Sequence, residues 1–227
     1  MLHQTQVSRV AAAWDAFVAR FPDPATTAAA EPADVLREWG HLGYPRRARW
    51  LWEAARAVAA RGWPDDLTEL PGVGRYTAAA IAAQVDDGPD AIGVDANIRR
   101  VCQRVVGTRL TERAAERTAV DVSAPLTGRD RFLALMDLGA LVCTPRAPRC
   151  PDCPLHDRCA TRGTLAGERR VAQARYAGSF RQRRGAVLAR LREADAPVAS
   201  LDDDALASLV ADRLVEVRRT TARLARA

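Results

Sequence analysis

Leu70-Pro71-Gly72-Val73-Gly74 is the stretch on which the fold turns. Before it, Leu67 to Leu70 can close one short helical turn; after it, Arg75 to Val85 has helical spacing. Pro71 stops the first segment, and Gly72 and Gly74 are both expected to admit positive φ and close approach of another molecule. The N–H groups left free in such a turn, with those opening the next helix, suit phosphate oxygens. A plain helix–helix turn has the same composition, so the motif needs support from the rest of the chain.

Outward from the hairpin the pattern stays helical. Val7, Val10, Trp14, Phe17 and Val18 recur at three- and four-residue steps as far as Phe21, where Pro22 and Pro24 end the helix. A second helix is expected at Pro32–Trp39. A third follows Pro45, with Arg46, Arg47 and Arg49 on one side and Trp50 and Leu51 on the other. Beyond the hairpin, helices are expected at Ile98–Val106, Glu112–Val122 and Arg129–Leu141, with almost no strand signal before residue 160. Residues 161–182 are polar and rich in Arg and Gly, and read as a linker. Residues 183–227 hold helical patterns at Arg184–Glu193 and Asp203–Asp212, then a β pair at Leu214–Val217 and Thr220–Leu224. That order fits a small winged-helix-like module or a tail packed back on the core. The expected fold class is all-α, with this small C-terminal segment added.

The chain has 227 residues, a formal charge of +6 and 48% hydrophobic residues, enough for a packed core in one or two domains. A pI near 9.6 suits a polyanionic partner, nucleic acid first. Only 5% of residues are aromatic and Ala abounds, which favours closely packed helices over a β-sandwich. All 34 basic residues are Arg. Chemistry that needs a lysine amine as nucleophile or Schiff-base former is therefore excluded. No apolar run of transmembrane length and no basic-then-apolar leader is present, so no membrane role is expected, and a cytoplasmic, nucleoid-associated monomer is.

A reducing cytoplasm makes metal ligation the better reading of the cysteines. Cys143, Cys150, Cys153 and Cys159 have the spacing C-x6-C-x2-C-x5-C, and Pro145, Pro148, Pro151 and Pro154 stiffen the loop between them. Spacing alone permits zinc or a 4Fe–4S cluster, although the long outer gaps depart from paired zinc knuckles. Cys102 stands in an apolar helical register and reads as a small core residue.

Val94-Asp95-Ala96-Asn97 precedes the Ile98–Val106 helix. Asp95 is placed to N-cap that helix, which would keep it ionised. A fixed carboxylate beside a sugar can also stabilise an oxocarbenium-like transition state as a base departs. Arg99, Arg100 and Arg104 follow on the same helix and are expected to contact phosphates or stand in solvent.

The hairpin at Leu70–Gly74, the Val-Asp-x-Asn stretch at 94–97 and the cysteine loop occur in an order that resembles the endonuclease III/MutY superfamily of DNA glycosylases. The resemblance covers about residues 1–160. It implies a two-lobed helix-hairpin-helix fold with a DNA cleft, a 4Fe–4S cluster on Cys143, Cys150, Cys153 and Cys159, and excision of a base flipped from double-stranded DNA. Gly72, Val73, Gly74 and Arg75 fall on the DNA-binding hairpin, and Asp95 falls on the catalytic Asp. Met1-Leu2-His3-Gln4-Thr5-Gln6-Val7 and Leu42-Gly43-Tyr44 resemble segments of the adenine-specific MutY branch. They imply that Gln4 fills space near the extruded base and Tyr44 wedges beside an oxidised guanine. Asp137-Leu138-Gly139-Ala140-Leu141-Val142-Cys143 resembles the family's helix into the cluster loop.

Tyr76 stands where the bifunctional enzymes place their lyase Lys, so the resemblance and the lack of Lys both imply a monofunctional glycosylase, with Tyr76 lining the base pocket. The expected substrate is a mispaired base, adenine opposite 8-oxoguanine or guanine first. Tyr at 76 and the Val-Asp-Ala-Asn form also match the thymine–guanine mismatch enzymes, which makes T/G or U/G excision the alternative. The resemblance sets the catalytic Glu two residues before Met1, a Nudix-like domain has no visible counterpart in 161–227, and His3 replaces a Gln. These departures leave two further readings: a lesion-binding module without turnover, and a zinc-stapled DNA-binding protein with a winged-helix tail.

Overall fold

The computed structural model describes residues 1–2, 5–85, 92–168 and 175–227. In chain order it has α1 (Val7–Arg20), α2 (Pro24–Ala29), α3 (Pro32–Trp39), α4 (Arg46–Arg61), a 3-10 turn at Leu67–Glu69, α5 (Arg75–Val85), α6 (Ala96–Val106), α7 (Glu112–Ser123) and α8 (Gly128–Asp137). A π-helical turn at Leu138–Val142 and a 3-10 turn at Cys150–Asp152 follow. The C-terminal segment supplies α9 (Phe180–Glu193), β1 (Ala196–Pro197), α10 (Asp203–Ala211), β2 (Val215–Arg218) and β3 (Thr221–Leu224). The chain divides into two compact units, one of Met1–Gly72 with Gln173–Ala227 and one of Val73–Ala172.

In the first unit the N-terminal helices and the C-terminal segment share one hydrophobic core. Phe17, Val35, Leu36, Trp39 and Trp52 are buried in the same cluster as Leu188, Leu191, Leu209, Val215 and Leu224. At about 1.5–3 kcal/mol for each large apolar side chain removed from water, that shared core binds the tail to the helices before it. The C-terminal segment consists of two helices beside a small sheet, and its core is shared with α1–α4. The sheet is antiparallel in the order β1-β3-β2, with Ala196 opposite Ala222 and Val215 opposite Leu224. The indole N–H groups of Trp39 and Trp52 donate to the carbonyls of Gly43 and Ala30, both at 2.9 Å, so neither buried ring leaves a polar atom unmet. Pro24, expected only to end α1, opens α2 at its first turn, where its missing N–H costs nothing, and Asp23 caps that helix through the N–H of Thr26 at 2.7 Å.

The second unit packs Ala83, Ile98, Val101, Cys102, Ala119, Val122, Phe132 and Leu135 into its own core. Small residues on α7 let it approach α6 closely, and those on α5 let it pack on α8, as the Ala-rich composition suggests. The single helix expected over Arg129–Leu141 is instead α8 followed by the π-helical turn. Gly139 within that turn lies against α6, where a Cβ would stand 2.7 Å from Cβ of Asn97. Cys143 N–H donates to the carbonyl of Leu138 at 2.7 Å, which closes the wider turn.

Candidate active site

Asp95 is the N-cap of α6, as its sequence position suggests. One carboxylate oxygen accepts the Ile98 N–H at 2.7 Å, and the other accepts from Nδ2 of Asn97 at 2.9 Å. Both oxygens are therefore held by donors and the helix dipole points its positive end at them. Tyr76, in the first turn of α5, is half-buried, its ring 6.3 Å from that of Phe132 and its hydroxyl 3.9 Å from Sδ of Met136. Burial pushes the Tyr76 phenol above its usual range, and the nearby Asp95 carboxylate pushes it further the same way. Gly93 lets the loop before Asp95 pass Tyr76, since a Cβ there would meet its Cδ2 at 2.9 Å. The structure thus brings Tyr76 and Asp95 into one neighbourhood.

Arg100 and Arg104 overturn the expectation of phosphate-facing or solvated side chains: both are buried. Arg100 donates to the carbonyls of Cys143 at 2.7 Å and Gly139 at 2.6 Å, and to Oδ1 of Asn97 at 2.9 Å. A continuous run of hydrogen bonds leads from Asp95 through Asn97 and Arg100 to Cys143. Arg104 is 1% exposed and donates to the carbonyls of Thr144 at 2.8 Å and Pro145 at 3.3 Å, and lies 3.4 Å from the Cys143 sulfur. Its remaining donors grip both carboxylate oxygens of Glu168, the closest at 3.0 Å. The i, i+4 spacing of the two arginines was visible in sequence, but only the packing of the loop shows that they serve it.

Cys143, Cys150, Cys153 and Cys159 line one concavity with about 390 Å³ of open volume, together with Val101, Arg104, Leu155 and others. Burial pushes the Cys153 thiol up, a hydrogen bond from Leu155 opposes this, and the three other cysteines push it up again. That mutual repulsion is what a bound cationic centre relieves. No three His, Cys, Asp or Glu side chains converge closely enough to hold a single metal ion among the described residues. Ala160 and Thr161 return to α6, donating to the carbonyls of Val105 at 2.9 Å and Arg104 at 3.2 Å. Cys102 is a core residue, its thiol pushed up to about 12 by burial.

The hairpin residues are only partly as expected. Gly72 has φ +77, and a Cβ on it would lie 2.7 Å from Cβ of Trp50. Gly74 does not use the left-handed region and has nothing within 4 Å of a built Cβ, so its glycine is not required by packing. Val73 is half-buried and Arg75 is exposed, paired with Glu116 at 3.2 Å. Tyr44 is exposed at φ 46 after Gly43 at φ 83, with the Arg47 guanidinium 4.5 Å over its ring. A bulky residue in that conformation is strained by roughly 1–2 kcal/mol. Gln4 lies outside the described residues.

A capped Asp on α6, tied through Asn97 and the buried Arg100 to a four-cysteine loop, in a chain whose α5 opens on a Pro-Gly turn, matches the class of helix-hairpin-helix DNA glycosylases. The model of the HhH-GPD superfamily of base excision DNA repair proteins matches residues 1–124, and the chain belongs to that superfamily. It is 43% identical over 243 aligned positions to the adenine DNA glycosylase of Mycolicibacterium smegmatis, covering 95% of this chain and 81% of the relative. It is 46% identical to the adenine DNA glycosylase of Mycobacterium tuberculosis, covering 95% and 79%. Coverage that high includes most of the C-terminal segment. Among solved structures, a thermostable thymine-DNA glycosylase matches with a TM-score of 0.63 and 28% identity over 71% of this chain and 79% of that one.

Proposed function

We propose that this glycosylase excises adenine mispaired with 8-oxoguanine or guanine in double-stranded DNA, by hydrolysis of the N-glycosidic bond and without strand cleavage. The relatives' adenine specificity over nearly the whole chain supports the base, and the absence of any Lys supports the monofunctional outcome. The observation that carries the chemistry is the Asp95 carboxylate, fixed by Ile98 N–H and Asn97 Nδ2. Held in place by these two donors, it stabilises the positive charge that builds on the sugar as the base leaves. Tyr76, its phenol pushed above its usual range by burial and by the Asp95 carboxylate, lines the base pocket beside it. Tyr44, Gly72, Val73, Gly74 and Arg75 bind the duplex, and the strained, exposed Tyr44 is the wedge.

Cys143, Cys150, Cys153 and Cys159 fit a 4Fe–4S cluster. The four thiols line one concavity, and among the described residues no three of them converge on one point, which suits a group that spans them, whereas one zinc would draw all four sulfurs to about 2.3 Å from one point. A bound cluster would supply four iron–thiolate bonds that order the loop and a centre able to take up an electron. Arg100 and Arg104 hold that loop against α6.

The test is release of free base from matched duplexes. Adenine freed from A:8-oxoG, with strands cut only after alkali, is the expected result. Thymine or uracil freed from T:G or U:G with adenine untouched would move the chain to the mismatch enzymes, the reading that the thymine-glycosylase likeness favours.

A further inference from the structure

We propose that the Asp212-Arg213 turn of the C-terminal segment is a second contact for DNA phosphate, continuous with the Tyr44 turn. This rests on the duplex-binding reading above and extends it to the tail.

The first turns of α4 join three features of one unit. Tyr44 lies just before the helix, with Arg47 over its ring. Trp50, one turn further, carries Gly72 against its Cβ and the Arg46 guanidinium 5.0 Å over its ring. The tail docks on the same turns: Arg49 donates to the Arg213 carbonyl at 2.9 Å, and Arg46 lies 3.5 Å from Asp212. Asp212 is held from its other side by Arg184 at 2.6 Å. The Arg213 backbone is therefore fixed on the first turns of α4, the helix that the proposed wedge precedes.

Its side chain is not used by the fold. Arg213 is exposed, and among the described residues its guanidinium has no hydrogen bond or ion pair. It holds φ 56, where Gly would sit without strain and an L-residue costs about 1–2 kcal/mol. A cation on a strained backbone, with no internal partner among the described residues, stands where the charge balance is already positive: Arg46, Arg49 and Arg184 share the two carboxylates of Glu53 and Asp212. Duplex DNA carries one charge per about 1.7 Å of axis, so a strand passing the Tyr44 wedge presents phosphate to this turn.

Arg213→Gly removes the cation and accepts the backbone angle, so its thermal midpoint should equal or exceed wild type. Binding of a labelled A:8-oxoG duplex by the full chain should weaken about eightfold near 0.1 M salt, and the slope of log K against log salt should fall by about 0.9, one phosphate contact. Arg213→Asn, also tolerant of this φ, should give the same shift. Arg219→Gly is the control: also exposed and at φ 55, but at the far end of the β2–β3 hairpin, it should change neither quantity. An unchanged slope in Arg213→Gly, disagreement between the two Arg213 variants, or an equal loss in Arg219→Gly overturns the proposal while duplex binding by wild type stands. Failure of wild type to bind the duplex overturns the duplex-binding reading instead, and the proposal with it.

Discussion

Replacing Arg104 with Met should loosen the cysteine loop more than any other single change in the second unit. The side chain is 1% exposed and its donors are shared among Thr144, Pro145, the Cys143 sulfur and both oxygens of Glu168. Met fills similar volume, so the cost comes from groups left without donors, not from a cavity. Breaking a buried pair in this way costs about 3–5 kcal/mol, because Glu168 keeps a charge it can no longer share. Glu168→Met should cost less, about 2–3 kcal/mol, since Arg104 retains its carbonyl partners. The double variant should cost close to Arg104→Met alone, a coupling of about 2 kcal/mol. Cys102 gives the readout: it is fully buried on α6, its thiol is pushed up to about 12, and it reacts with an alkylating reagent only when the unit opens. Labelling at the Cys102 peptide, followed by mass spectrometry in all four proteins, yields the opening free energies. Additive costs, with coupling below about 0.5 kcal/mol, would refute the claim that Arg104 and Glu168 act as one clamp on the loop.

Other substitutions probe the remaining joints. Gly139→Ala should cost about 2 kcal/mol or more and lower iron content on reconstitution, because its Cβ would lie 2.7 Å from Cβ of Asn97; the same Cys102 labelling measures it. A spectrophotometric titration should show one of the three tyrosines ionising late, and Tyr76→Phe should remove that component. The sign follows from the raised phenol: stability from neutral Tyr76 is complete below its unfolded value and is lost as pH climbs through the folded one. Gly74→Ala should be nearly silent in stability while Gly72→Ala is not, since only Gly72 combines φ +77 with a contact at 2.7 Å; thermal midpoints of the two variants decide it.

Much of the scaffold was legible because its signals are local. The α6 cap at Asp95, the stop at Pro71 and the helical spans of α1, α3 and α5 each depend on a few neighbouring residues, and the structure places them where the sequence does, although of the apolar series on α1 only Val10 and Phe17 are buried. What was not legible depends on long-range packing. Nothing near Arg104 in sequence announces that Glu168, 64 residues away, takes its charge. Gly139 reads as an ordinary helical glycine until Asn97 is seen against it. Gly74 resembles Gly72 in the motif, yet the contact with Trp50 and the left-handed φ of Gly72 separate them. The tail was ambiguous for the same reason: its hydrophobic pattern shows that it buries a face, not that α1–α4 supply the partner.

The central claim is that Asp95 stabilises the sugar cation. Asn at 95 can still cap α6 through its carbonyl oxygen, but its NH2 would face that of Asn97, so a fold cost of only about 1 kcal/mol is expected. The decisive measurement is single-turnover adenine release from an A:8-oxoG duplex by Asp95→Asn, with duplex affinity measured on the same protein. The account predicts a loss of a hundredfold or more in release, about 3 kcal/mol of transition-state stabilisation, with affinity nearly unchanged. Release at the wild-type rate would contradict it.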